Sequence, residues 1–190
     1  MVVNIGVDTE TGGLDPDLHS ILEIALTCVI DGESFEYSSR IAENGMCVQP
    51  QALKINGLKP LSGDWDGASP AKVTHDIGVF FDVVQERCGS DIRCVFQNPS
   101  FDTGFIKRLY RKADDGTSPP KWLGGYHSID TYTAGVMAEE FGLIAKSGRL
   151  DTLIESVGLS VDSYDRHTAL GDARATLDVF ERLCALAISV

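Results

Sequence analysis

The stretch Val3-Asn4-Ile5-Gly6-Val7-Asp8-Thr9-Glu10-Thr11-Gly12-Gly13-Leu14 decides the fold. Val3, Ile5 and Val7 alternate with smaller residues, a period of two that predicts a buried strand over residues 2–8. That strand runs into two acids and then a Gly/Asp/Pro loop over Thr11–His19. Ile21–Ile30 and Ser34–Ile41 read as two further strands, joined by a tight turn at Asp31-Gly32. Residues 43–70 are rich in Gly and Pro, with one short helical piece at Gln51–Ile55.

Beyond residue 70 the pattern changes. A helix is predicted over Ala71–Cys88, with Val73, Ile77, Phe80, Val84 and Cys88 on one stripe. A fourth strand follows at Ile92–Gln97, then a helix over Ser100–Lys112 and a polar loop over Asp114–Gly125. His127–Ile129 reads as a fifth strand, and helices are predicted at Thr131–Phe141, Leu150–Val157 and Gly171–Ala187. Three strands in succession, followed by alternating strands and helices, predict an α/β fold: a five-stranded mixed sheet with helices on both faces.

The bulk composition narrows the function. The chain has 190 residues, 43% of them hydrophobic and 23% charged, which suits one domain over residues 1–190. No apolar run approaches the roughly 18 residues of a membrane helix. The N-terminus lacks the basic region and cleavage site of a signal peptide, so a cytoplasmic location with no membrane contact is expected. The five cysteines form no C-x-x-C pair, and their odd count argues against a disulfide framework. The net charge of −12 argues against coating a long duplex, although a short single-stranded end in a cation-loaded cleft stays compatible.

Three separated patches carry candidate chemistry. Asp8 and Glu10 stand two positions apart on one face of the first strand, roughly 6–7 Å apart at the backbone. Both can lean toward one cation, but the pair also reads as a plain polar turn. A calcium loop beginning at Asp8 fails, because its twelfth position is His19 where a bidentate Glu is required. Asp102 heads a helical stripe continued by Phe105, Ile106 and Leu109, and Asp172 heads one continued by Ala175, Thr176, Val179 and Leu183. Acids at helix N-termini favour the dipole and usually face water. Two acids at the head of buried stripes need a compensating charge, and a cation supplies it. His167 lies five residues before Asp172, about 140° away on a continuous helix, so a loop at His167 is needed for both to reach one cleft. Asp130 and Asp151 each begin a helical segment and are expected to act as caps. Lys107, Arg108, Arg111 and Lys112 form a basic helix face that reads either as a solvated surface or as a guide for a phosphate backbone.

In this order the patches resemble the DEDD superfamily of 3′–5′ exonucleases, in its DEDDh branch, a group that includes polymerase proofreading subunits and ribonuclease T. Asp8-x-Glu10 is similar to the first motif, Asn98-x-x-Phe101-Asp102 to the second, and His167-x-x-x-x-Asp172 to the third. Ala52-Leu53-Lys54-Ile55-Asn56-Gly57-Leu58 resembles a short family segment after the third strand. Two departures stand out: Gln97-Asn98-Pro99 where the family usually has His-Asn-Ala, and Asn56 where it often has His. The resemblance implies a ribonuclease-H-like fold and a two-metal phosphodiesterase using Mg²⁺ or Mn²⁺. It implies Asp8 as the bridging ligand, Glu10, Asp102 and Asp172 as the others, and His167 as the base. An ordinary imidazole pKa of about 6.5 suits that base near neutral pH. Thr11, Gly12, Leu14, Ile55, Asn98 and Phe101 are the implied substrate contacts. The expected partner is the 3′ end of single-stranded DNA or RNA, with nucleoside 5′-monophosphates as products. A homodimer, or a polymerase or repair partner, stays open, as do an endonuclease or resolvase of similar fold and a non-catalytic accessory subunit.

Overall fold

The computed structural model describes residues 2–89, 91–125 and 127–189. Its elements in chain order are strands β1 (Val3–Thr11), β2 (Ile21–Ile30) and β3 (Glu33–Arg40), then helices α1 (Pro50–Asn56) and α2 (Pro70–Cys88). Strand β4 (Ile92–Phe96), helix α3 (Pro99–Ala113) and strand β5 (Ile129–Asp130) follow. Helices α4 (Thr131–Glu140), α5 (Leu150–Ser156) and α6 (Ala169–Ile188) come next, with a 3-10 turn at Val161–Ser163.

The five strands form one mixed sheet in the order β3-β2-β1-β4-β5. β1 pairs antiparallel with β2 and parallel with β4, so it lies at the centre, where the sheet changes direction. β5 occupies Ile129–Asp130 rather than the expected His127–Ile129. Its register is set by β4, which pairs Val95 with Ile129 and Phe96 with Asp130. A three-residue stretch with one apolar side chain, Ile129, cannot resolve so short a ladder.

Alternation along the central strands divides the molecule into two layers around the sheet. Ile5, Val7, Ile24, Leu26 and Cys28 pack with Val73, Ile77, Phe80 and Val84 of α2 and Phe105, Ile106 and Leu109 of α3. The opposite face carries small residues. Ala25 packs on Ala169 and Ala173 of α6, and a Cβ on Gly6 would lie 2.3 Å from the Ala173 carbonyl oxygen. Large residues thus make one core layer, and small ones let α6 lie directly on β1 and β2. A separate apolar cluster joins α4 and α5 to the outer side of α6 through Ala138, Leu153, Ile154, Val179 and Leu183. Among the described residues, no helix is long and apolar enough to cross a membrane.

The ladder between β1 and β4 ends at the Gly6–Val95 pair, whereas β1 continues beside β2 through Thr11. The last residues of β1 therefore emerge past β4 with one edge open. In an open α/β sheet, the carboxyl end of a strand at a change of direction is where ligands collect. Asp8 and Glu10 lie on that overhang.

Gly6→Ala is expected to push α6 off the sheet at a cost of about 1–3 kcal/mol, read as a lower urea midpoint. Gly78→Ala, in the interior of α2 with open space around the new methyl group, should instead raise the midpoint. Equal effects at the two positions would contradict the close helix–strand contact.

Candidate active site

Each acid reaches the open end of β1 on a different element. Asp8 and Glu10 share the β1 face that bears Gly6, and α6 brings Asp172 in from above through its contact with Gly6. One carboxylate oxygen from each of Asp8, Glu10 and Asp172 lies within 4.8 Å of the other two. Asp102 comes from the first turns of α3 on the β4 side and is 3% exposed. Its Oδ1 accepts the Thr9 N–H at 3.1 Å and the Thr9 hydroxyl at 2.8 Å. β4 has ended by this point, so the buried Thr9 amide has no ladder partner on that side and Asp102 satisfies it.

The start of α3 depends on an unusual dipeptide. Asn98 takes a left-handed conformation at φ 70° and Pro99 occupies the first helical turn, where a missing N–H costs nothing. Gln97 ties the end of β4 outward: its Nε2 donates to the Gly148 carbonyl at 3.3 Å and its Oε1 accepts the Thr131 hydroxyl at 2.5 Å. With Gln97 and Pro99 at these positions, Asp102 lies in the first turns of α3.

His167 lies in a turn directly before α6, at φ 65° and exposed. This is the break that the spacing to Asp172 requires. Its backbone N–H donates to Asp172 Oδ1 at 3.2 Å, while the Thr168 hydroxyl caps α6 by accepting the Gly171 N–H at 3.1 Å. Gly171 is needed there because a Cβ would lie 2.0 Å from the Asp165 carbonyl oxygen.

Four carboxylates so close together repel. Burial, then the charges of Asp102 and Glu10, hold the Asp8 pKa well above the ordinary carboxylate value. Burial and then the charge of Glu23, its antiparallel partner, raise Glu10 to about 7. Burial raises Asp102 to about 7 against the lowering effect of its Thr9 hydrogen bonds. A cluster of oxygen donors that resists ionisation fits a divalent cation, which would supply the missing positive charge.

Beside the acids lies a hollow of about 260 Å³ whose lining includes Thr9, Glu10, Thr11, Gly13, Leu14, Ala52, Ile55, Asn56 and Phe101. Leu14 is 81% exposed and Ile55 65%, so both present apolar surface to a ligand. Four of the six expected substrate residues, Thr11, Leu14, Ile55 and Phe101, line this hollow, and Gly12 and Asn98 do not. The Gly12 N–H donates to the Ser20 carbonyl and its own carbonyl accepts the Gln49 N–H, so both polar groups are engaged. A Cβ there would lie 2.7 Å from the Cys47 carbonyl oxygen, which makes Gly12 a backbone crossing point. Asn98 is exposed and bonds its neighbours: its N–H donates to Asp130 and its Oδ1 accepts from Ser100.

Two other expectations need correction. Asp130 caps α4 as expected, accepting the Tyr132 N–H, but Asp151 is not a cap. It sits inside the first turn of α5, and its Oδ1 pairs with Arg166 Nε at 2.6 Å. The basic face on α3 is also smaller than its sequence suggests. Arg108 is 8% exposed and pairs with Glu43 at 2.7 Å, and Arg111 pairs with Asp17 at 3.1 Å. Among the described residues Lys107 and Lys112 make no such pair, and both are exposed.

Of the residues that support the site, Thr9, Glu23 and Arg166 carried no sequence signal of their own, whereas Asn56 stood out as a departure from the family pattern. Thr9 anchors Asp102. Asn56 donates to the Thr11 carbonyl at 3.1 Å and accepts the Leu58 N–H at 3.1 Å. Glu23 accepts the Ala169 N–H at 2.9 Å and so ties β2 to the first turn of α6. Arg166 pairs with Asp172.

The raised carboxyl pKa values predict how stability varies with pH. Between the unfolded carboxylate values of about 4 and the folded values near 7, the folded chain binds more protons than the unfolded one. Stability should therefore fall as pH rises through this window. The metal-free protein is expected to melt at a lower temperature at pH 8 than at pH 5.5, and millimolar Mn²⁺ should reverse the loss. A melting temperature that climbs across the window would contradict the crowding of these acids.

No family model matches the chain. It is 26% identical over 184 residues to ribonuclease T of Shewanella sp. (strain W3-18-1), covering 92% of this chain and 78% of that protein. Ribonuclease T of Shewanella frigidimarina is 25% identical over 185 residues, with the same shares covered. In three dimensions the chain superposes on E. coli exonuclease I in complex with a dA16 oligonucleotide, at a TM-score of 0.73 and 18% identity. A zinc-bound complex of exonuclease I with single-stranded DNA gives the same TM-score and identity. The match to the dA16 complex covers 97% of this chain and only 41% of exonuclease I, so the chain spans less than half of that larger protein. The sheet and its helices thus have the ribonuclease-H-like arrangement of exonuclease I, and over nearly its whole length the chain is similar to DEDD-type 3′–5′ exonucleases.

Proposed function

We propose that the chain is a metal-dependent 3′–5′ exonuclease of the DEDDh branch. It hydrolyses phosphodiester bonds at the 3′ end of single-stranded DNA or RNA and releases nucleoside 5′-monophosphates. The observation that carries this reading is the convergence of Asp8, Glu10 and Asp172 within 4.8 Å, with Asp102 alongside. An all-carboxylate donor set suits Mg²⁺ or Mn²⁺ better than zinc. Asp8, Glu10, Asp102 and Asp172 would hold two such cations, which when bound activate a water and stabilise the leaving oxygen.

The chain's own groups do the rest. His167, exposed at the edge of the acid cluster, accepts the proton of the attacking water at a ring nitrogen. Leu14, Ile55 and Phe101 receive the terminal base by apolar contact, and a stacked duplex end cannot offer a base in that way. The relatives speak for both nucleic acids: ribonuclease T by its name, exonuclease I by the DNA oligonucleotides bound to it. Residues 1–190 act as one domain in this reading, and we place it in the cytoplasm. A second copy, or a polymerase or repair partner, would serve substrate delivery, since one chain carries all four acids and the histidine.

The decisive experiment supplies 5′-labelled single-stranded DNA and RNA with Mg²⁺, Mn²⁺ or EDTA. Stepwise shortening from the 3′ end, abolished by EDTA, is the expected result. Internal cuts on circular DNA would instead mark an endonuclease, and inert binding an accessory subunit. Asp8→Asn should leave the fold intact and remove activity. His167→Ala should lower kcat by about 10²–10⁴-fold while Mn²⁺ binding persists; a pH–rate profile identical to that of the unmodified protein would sink the base assignment.

A further inference from the structure

Asp151, unused as a cap, leads to Arg166. The Arg166 side chain is 13% exposed and extends between two carboxylates on different elements. Its Nε meets Asp151 Oδ1 on α5 at 2.6 Å, and its Nη1 meets Asp172 Oδ1 on α6. The same Asp172 oxygen accepts the His167 N–H at 3.2 Å. The His167 hydrogen bond and the Arg166 ion pair therefore both fall on Oδ1, and among the described residues no hydrogen bond reaches the second oxygen of Asp172. Asp102 is held in the same manner, with both Thr9 donors on its Oδ1. In both helix-borne acids the protein contacts thus fall on one oxygen, Oδ1.

We propose that Arg166, braced by Asp151, is a positioning residue that fixes the Asp172 carboxylate so that a single oxygen is free for the cation. The inference rests on the proposed function for the identity of that cation. A guanidinium can span two acids because its nitrogens are held in a rigid planar fork, whereas an ammonium on a flexible stem cannot. Groups that orient a metal ligand through hydrogen bonds typically matter about 10–100-fold in metal affinity or activity.

Charge and geometry predict opposite signs here, which makes the test sharp. A cation placed beside the acids only as a counter-charge would compete with metal, and its removal would tighten binding. A positioning residue loosens binding when removed. The experiment is calorimetric titration of Mn²⁺ into the full chain without nucleic acid, at fixed pH. Arg166→Ala is expected to weaken Mn²⁺ binding about 10-fold or more, and Arg166→Lys to weaken it nearly as much. Asp151→Asn should weaken it less, and should add nothing when combined with Arg166→Ala, since Asp151 acts through Arg166.

Tighter or unchanged binding in Arg166→Ala would overturn the inference, as would full retention in Arg166→Lys or additive losses in the double variant. A raised KM with unchanged Mn²⁺ affinity would also overturn it, by assigning Arg166 to the substrate. Asp151→Asn lies on an exposed first turn, so the combined series stays readable even if one Arg166 variant folds poorly. Failure of the unmodified protein to bind Mn²⁺ would overturn the functional reading and this inference together.

Discussion

The contact of α6 with β1 at Gly6 is the constraint on which the rest of the site depends. Asp172 belongs to α6, and Asp8 and Glu10 belong to the strand beneath it, so their separation follows from how closely helix and strand approach. Only a residue without a side chain allows the Ala173 carbonyl to lie where it does. Ala25, Ala169 and Ala173 keep the neighbouring surface equally thin. The opposite face, filled with Ile, Val and Phe, supplies most of the apolar burial that stabilises the sheet. Stability and function are thereby divided between the two faces: large residues hold the sheet together on one, and small residues bring charges together on the other.

That closeness is electrostatically unfavourable, and the structure limits the damage with hydrogen bonds. Thr9 donates twice to Asp102, and His167 and Arg166 engage Asp172. None of these partners neutralises the cluster. Asp8, Glu10 and Asp102 still hold their protons more tightly than ordinary carboxyl groups. Well-oriented acids left short of positive charge are a recognisable signature of a functional site, because a fold selected for stability alone would not retain them. Glu23 adds to the crowding from β2 while anchoring α6 through Ala169, so one carboxylate raises the tension and fixes the geometry that creates it.

Much of this was legible in the chain. Period-two and period-3.6 patterns located the strands and helices, because those patterns report burial directly. Asp102 and Asp172 stood out for a physical reason: acids at the head of apolar stripes conflict with their surroundings unless something compensates. His167 required a turn, and its left-handed backbone is that turn. What was illegible depends on partners far apart in sequence. Arg108 looked like a surface cation until Glu43 reached it from the loop after β3. Asp151 had the position of a cap, yet Arg166 claims it from the turn before α6. Thr9 has no sequence signal at all, since its role exists only because β4 stops short of it. Patterns along one element reveal its buried face and not which distant group will meet that face.

The charge of the chain bears on how a polyanion could be held. With a net charge of −12 and two of the four α3 cations already paired, there is little to attract a phosphate backbone at long range. In the proposed function, attraction must come from the bound cations, at the one place where a phosphate is to be cut. Grip on the remainder of the substrate falls to Leu14, Ile55 and Phe101, whose apolar contacts do not read sequence and require an unstacked base. Such an arrangement binds an end far better than an interior segment, because only an end can place a free base in the hollow and its adjoining phosphate over the acids. In that reading, selection for termini follows from the shape and charge of the cleft.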